Sequence, residues 1–105
     1  MLAIWTKIQK YEQDIQAELQ KADPDWNKIK SDLENMRFGI KEILSIANAN
    51  RIKIPSDPNF LQELASMSTL ISSMEGAIGN PQKMASLLQE FGQYMTSIYQ
   101  DLLQG

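Results

Sequence analysis

With no histidine and no cysteine among its 105 residues, the chain is left with carboxylates for acid–base chemistry. Imidazole general bases, Ser–His and Cys–His nucleophile pairs, and thiolate or imidazole metal sites are all removed. Di-iron carboxylate bundles need Glu-x-x-His pairs and go with them. Carboxylate-only catalysis needs two acids that converge in one pocket. Asp14, Glu18, Asp32, Glu34, Glu42, Glu63, Glu75 and Glu90 fall off the apolar positions, which predicts solvated helix faces for them. The expectation is a protein that is not an enzyme and takes no metal and no cofactor.

One acidic run has the spacing of a calcium loop. Asp23, Asp25, Asn27, Ser31 and Glu34 occupy positions 1, 3, 5, 9 and 12 of an EF-hand. The loop needs glycine at position 6 for its sharp turn and an apolar residue at position 8, but Lys28 and Lys30 stand there. Pro24 and the spacing of Trp26, Ile29 and Leu33 demand helix over the same residues. The run is therefore read as an acidic helix start, favoured by the macrodipole.

The elements that carry these residues are marked by three dipeptides: Asp23-Pro24, Asp57-Pro58 and Asn80-Pro81. Each pairs a good N-cap with proline at the first helical position, where its missing N–H costs nothing. Unbroken three–four spacings follow: Trp26, Ile29, Leu33, Met36, Ile40, Ile43 and Ala47; then Phe60, Leu64, Met67, Ile71, Met74 and Ile78; then Met84, Leu88, Phe91, Met95, Ile98 and Leu102. Each set lies on one stripe of a helix. The first helix has a broader stripe of Ile4, Trp5, Ile8, Tyr11, Ile15, Leu19 and Ala22. Helices are predicted over 2–21, 24–48, 58–78 and 81–103, in one domain. The fold class is all-α, a four-helix bundle made of two helical hairpins. Up-down-up-down order is favoured, with a crossover at the long 48–57 join left open, since extended chain at about 3.3–3.6 Å per residue can nearly span such a bundle.

Charge and hydropathy bound the partners. The net charge is −3 and unevenly placed: residues 1–54 hold nine Lys or Arg against eight acids, while residues 55–105 hold one against five. The basic residues of the front half are interleaved with acids, and a pI of about 4.8 opposes phosphate attraction, so no nucleic acid is expected. No segment is apolar for long enough to span a membrane. Nothing resembles a cleaved secretory signal, so a cytoplasmic location is the default, with signal-independent export left open.

Three features suit a protein partner or self-association through helix faces. Phe38 falls opposite the buried stripe, beside Arg37 and Lys41. Either it is an exposed interface anchor, or Gly39 kinks the helix or a terminus folds over the ring. Ser68, Ser72 and Gly76 follow at steps of four and form a small-residue seam, which packs against the first or fourth helix or against a second copy. Ile52 and Ile54 alternate with Arg51 and Lys53 in the long join, where they cap the bundle or form a binding loop. The methionines Met36, Met67, Met74, Met84 and Met95 fall on the stripes as core filling.

Asn80-Pro81-Gln82-Lys83-Met84, followed by Gln93-Tyr94, resembles the small needle subunits of type III secretion systems. Those are helical hairpins with an Asn/Asp-Pro turn, then Met or Leu, and later a Gln–aromatic pair. Pro55-Ser56-Asp57-Pro58 is similar to the same turn. The resemblance implies a secretion-apparatus subunit or chaperone, although here an extra hairpin precedes the stretch. The reading of the residues themselves is a helical interaction or assembly module, with the back hairpin as the expected partner surface. The alternative is a carrier of a small apolar ligand lined by Trp5, Trp26 or Phe91.

Overall fold

The computed structural model describes residues 2–49 and 59–104. Four helices follow in order: α1 (Leu2–Leu19), α2 (Trp26–Ala49), α3 (Phe60–Glu75) and α4 (Pro81–Gln104). The predicted stripes become the core. Ile8, Ile15, Ile29, Leu33, Met36, Ile40, Ile43, Phe60, Leu64, Met67, Ile71, Met74, Met84, Leu88, Phe91 and Ile98 are all buried in one cluster. The bundle measures 46 × 20 × 19 Å.

Cross-helix contacts fix the directions. Gly39 of α2 lies against Ile8 and Ile4 of α1, while Lys28 at the other end reaches Glu18. Trp5 bonds to Met95 of α4, and Glu12 lies beside Gly92. Glu63 of α3 meets Ser97 of α4. Every neighbouring pair is antiparallel, so the order is up-down-up-down and α4 closes the ring against α1. Among the described residues each helix packs on two neighbours, and diagonal pairs do not approach.

One capped helix start agrees with the prediction and one differs. At α4, Asn80 Oδ1 accepts from Lys83 N at 3.1 Å, and Pro81 opens the helix as expected. At α2 the cap is Asp25, not Asp23. Its Oδ1 accepts from Lys28 N at 3.1 Å, and Pro24 stays outside the helix. The cause is Glu18, whose Oε1 accepts from Asp25 N at 3.0 Å and draws the turn back onto α1. The calcium-like run accordingly spans the turn at Asp23, the cap at Asp25 and the first turns of α2. α3 opens at Phe60 with Asn59 as its N-cap rather than at residue 58; Asp57, Pro58 and the extended 51–55 stretch lie outside the described residues.

The first helix ends at Leu19 rather than residue 21, leaving Ala22 exposed beyond it. The third ends at Glu75 rather than residue 78. Residues 76–79 form the turn, with Gly79 at φ +89°, a conformation that favours glycine. Ile78, expected on the stripe, is exposed in this turn, and Ala77 is buried in its place.

Candidate functional site

The seam between α1 and α4 carries a groove. On α1 its residues are Trp5, Gln9, Glu12, Gln16, Leu19 and Gln20. On α4 they are Tyr99, Thr96, Met95, Gly92, Gln89, Leu88 and Ala85. Gln9, Gln16 and Gln20 on α1 and Ala85, Gln89, Gly92 and Thr96 on α4 lie one column outside the core stripe, while Trp5, Leu19, Leu88 and Met95 belong to the stripes themselves. The groove holds two cavities. One of about 460 Å³ lies around Trp5, Glu12, Gly92 and Tyr99. The other, of about 370 Å³, lies around Gln16, Leu19, Ala85 and Leu88.

The first cavity has an aromatic wall. Trp5 Nε1 donates to Met95 O at 3.0 Å, and its ring stacks on Tyr99 with centroids 4.5 Å apart. Tyr99 is partly exposed. Leu2 and Leu103, one turn further toward the same end on each helix, are exposed as well. The groove therefore opens at one end onto an apolar mouth.

Glu12 is the charged residue of a lining that also holds Thr6, Gln9 and Thr96. It is only 7 % exposed, and its Oε2 is buried with no hydrogen-bond partner. Gly92 faces it across the seam: a Cβ built there would stand 3.3 Å from Oε2. The glycine leaves open the space that a side chain would fill. Burial pushes the Glu12 carboxyl up to about 6.

This shift sets a pH dependence. The folded-state value lies above the ordinary 4.5, so folding favours the protonated acid. The contribution of Glu12 to stability is greatest below pH 4.5 and is lost as pH rises to 6. The gap corresponds to about 2 kcal/mol, and solvent on the open side reduces it to about 1 kcal/mol. Glu12→Gln is therefore expected to stabilise the protein by about 1 kcal/mol at pH 8. The gain should vanish near pH 4 in urea titrations; equal gains at both pH values would contradict the burial of Glu12.

Two further acids are enclosed, contrary to the prediction of solvated faces: Glu18 and Asp32. Glu18 Oε2 accepts from Lys21 Nζ at 2.7 Å and lies 3.7 Å from Lys28 Nζ. The Lys21 bond, with that from Asp25 N, holds its carboxyl below the usual range. This cluster closes the α1–α2 turn and is structural. Asp32, facing α1 from α2, has its carboxyl raised by burial and by the charge of Asp14. The stripes alone place these acids in water, whereas a helix in a closed ring buries its flanks as well as its stripe. No three acids come together as a metal site among the described residues.

The other expected site residues are scattered. Phe38 is 63 % exposed, and α2 runs unbroken through Gly39. Arg37, expected beside it as part of the anchor, turns instead across α3. Its Nη2 donates to Glu75 Oε1 at 2.7 Å and to Ser72 Oγ at 2.9 Å. The small-residue seam thus adjoins α2, not α1 or α4. Ser68 is half-buried there, and Gly76 lies past the end of the helix. Ile52 and Ile54 lie outside the described residues. Of the aromatic residues expected to line a ligand site, Trp5 faces the α1/α4 cavity, Phe91 is in the core and Trp26 packs against the core's edge.

Spacing along the chain does not reveal the α1/α4 groove. Its signal is a second, uncharged column on two helices, Gln9-Gln16-Gln20 and Ala85-Gln89-Gly92-Thr96, visible only once the two helices are known to be neighbours. No helix of the described residues is long and apolar enough to cross a membrane. No family model, no curated protein and no solved structure matches the chain.

Proposed function

We propose that this bundle is a non-catalytic interaction module that seats a helix of a partner protein along the α1/α4 groove. The alignment of two cavities along one helix seam carries the reading. From Trp5 to Leu19, at about 1.5 Å per residue, the groove runs about 21 Å, nearly four helical turns. Its rims are Gln, Thr, Ala and Gly, which approach closely and cost little to desolvate compared with charged rims. Its mouth supplies the aromatic and leucine contacts on which helix-in-groove recognition depends.

The Phe38 face of α2 is a second reading, favoured by the exposure of that ring. Photo-cross-linking in the native cell separates the two. A cross-linker at Gln16 or Gln89 should trap one discrete adduct, lost in Gly92→Leu while the circular dichroism spectrum is kept. A cross-linker at Lys41 should trap none, and Phe38→Ala should change neither the adduct nor, beyond about 0.5 kcal/mol, the stability. Adducts from Lys41 that Phe38→Ala abolishes would move the partner site to α2.

A further inference from the structure

Glu12 is unlike every other group lining the groove. Its Oε2 is buried, has no hydrogen-bond partner, and borders a cavity of about 460 Å³. No ion pair with a described residue reaches it, and neither groove cavity is lined by lysine or arginine. A buried carboxylate without a partner is costly, and a donor brought from outside removes that cost. Gly92 leaves beside Oε2 the space that a Cβ would take, so a donor reaches the buried oxygen by displacing no side chain at residue 92. The stacked Trp5 and Tyr99 wall the same cavity, and aromatic faces suit both the aliphatic stem and the cationic head of a basic side chain.

We infer that the partner helix inserts a lysine or arginine side chain beneath Gly92, with Glu12 as its counter-ion. This rests on the groove reading above. Charge argues against a second copy as the occupant: with no basic residue on the groove, pairing two grooves would bring acid to acid. Length argues against a free amine, which would fill the first cavity and leave the second, around Leu19 and Leu88, uncovered.

The test uses a displayed library of helical peptides of about five turns, with the positions of one stripe randomised, selected on the intact chain. Binders are then measured against Gly92→Leu and Glu12→Gln. Glu12→Gln keeps the shape of the groove and is expected to fold at least as well as the parent. Peptides blocked by Gly92→Leu should carry Lys or Arg at one stripe position and bind Glu12→Gln at least about 30-fold more weakly. Groove-bound peptides that lack a basic residue and bind Glu12→Gln unchanged overturn the inference alone. Failure to recover any binder sensitive to Gly92→Leu overturns the groove reading with it. Concentration-dependent dimerisation abolished by Gly92→Leu would place a second copy in the groove and also overturn the inference.

Discussion

Trp5→Ala is expected to lower the stability of the bundle by about 3–5 kcal/mol, the usual cost of truncating a large buried aromatic. Trp5 is 8 % exposed and belongs to the main core cluster. Its removal also bares Tyr99, whose ring it stacks on, a contact with a value of about 0.5–1.5 kcal/mol beyond burial. The lost Nε1 bond to the buried Met95 O adds about 0.5–1.5 kcal/mol, the smaller part of the loss. Trp5→Phe should therefore recover more than half of the loss. Guanidinium unfolding followed by far-ultraviolet circular dichroism measures both variants. A loss under about 1 kcal/mol for Trp5→Ala would mean that the start of α1 is not docked on α4 as described.

Gly39→Leu is the second large effect, and its sign is set by two opposed terms. Replacing a mid-helix glycine gains up to about 1 kcal/mol of helix propensity. Against this, a Cβ at residue 39 would lie 2.7 Å from Ile8 Cγ1 and 2.9 Å from Ile8 Cδ1. A leucine adds three more carbons in the same gap, and overpacking of this kind costs about 1–3 kcal/mol, sometimes more. With the upper figure the net loss is about 2 kcal/mol. The cause can be checked by emptying the space. Ile8→Ala alone should destabilise, but combined with Gly39→Leu the losses should fall short of additivity by more than about 1 kcal/mol. Strictly additive losses would mean that α1 and α2 do not meet at this glycine.

The same glycine shows what local spacing conveys and what it does not. Within the helical pattern of α2, a lone glycine suggests a kink, because glycine weakens a helix and nothing nearby in the chain calls for it. Its role is close approach between helices, which depends on Ile8, a residue 31 positions away. The stripes are legible because the three–four period is local. Phe60, Ile71, Met84 and Phe91 lie where their spacing puts them. The Asn80 cap is legible for the same reason, while the Asp23 cap fails because Glu18 reaches Asp25 across the turn. The groove is the least legible feature. It needs α1 beside α4, and it depends on Glu12, whose only signal is that it takes an apolar place in the three–four series Trp5, Ile8, Glu12, Ile15, Leu19, where Asp14 and Glu18 do not fall.

The closure of α4 on α1 has a kinetic meaning. The two hairpins, α1–α2 and α3–α4, join segments close in the chain and close small loops, whereas Trp5 and Met95 are 90 residues apart. Loop-closure entropy grows with that separation, so the α1/α4 seam is expected to zip last and to open first. Whatever lies across both helices then behaves as a latch on the final step of assembly. Its occupancy would be read as slowed amide exchange in α1 and α4, with the α2–α3 backbone much less affected.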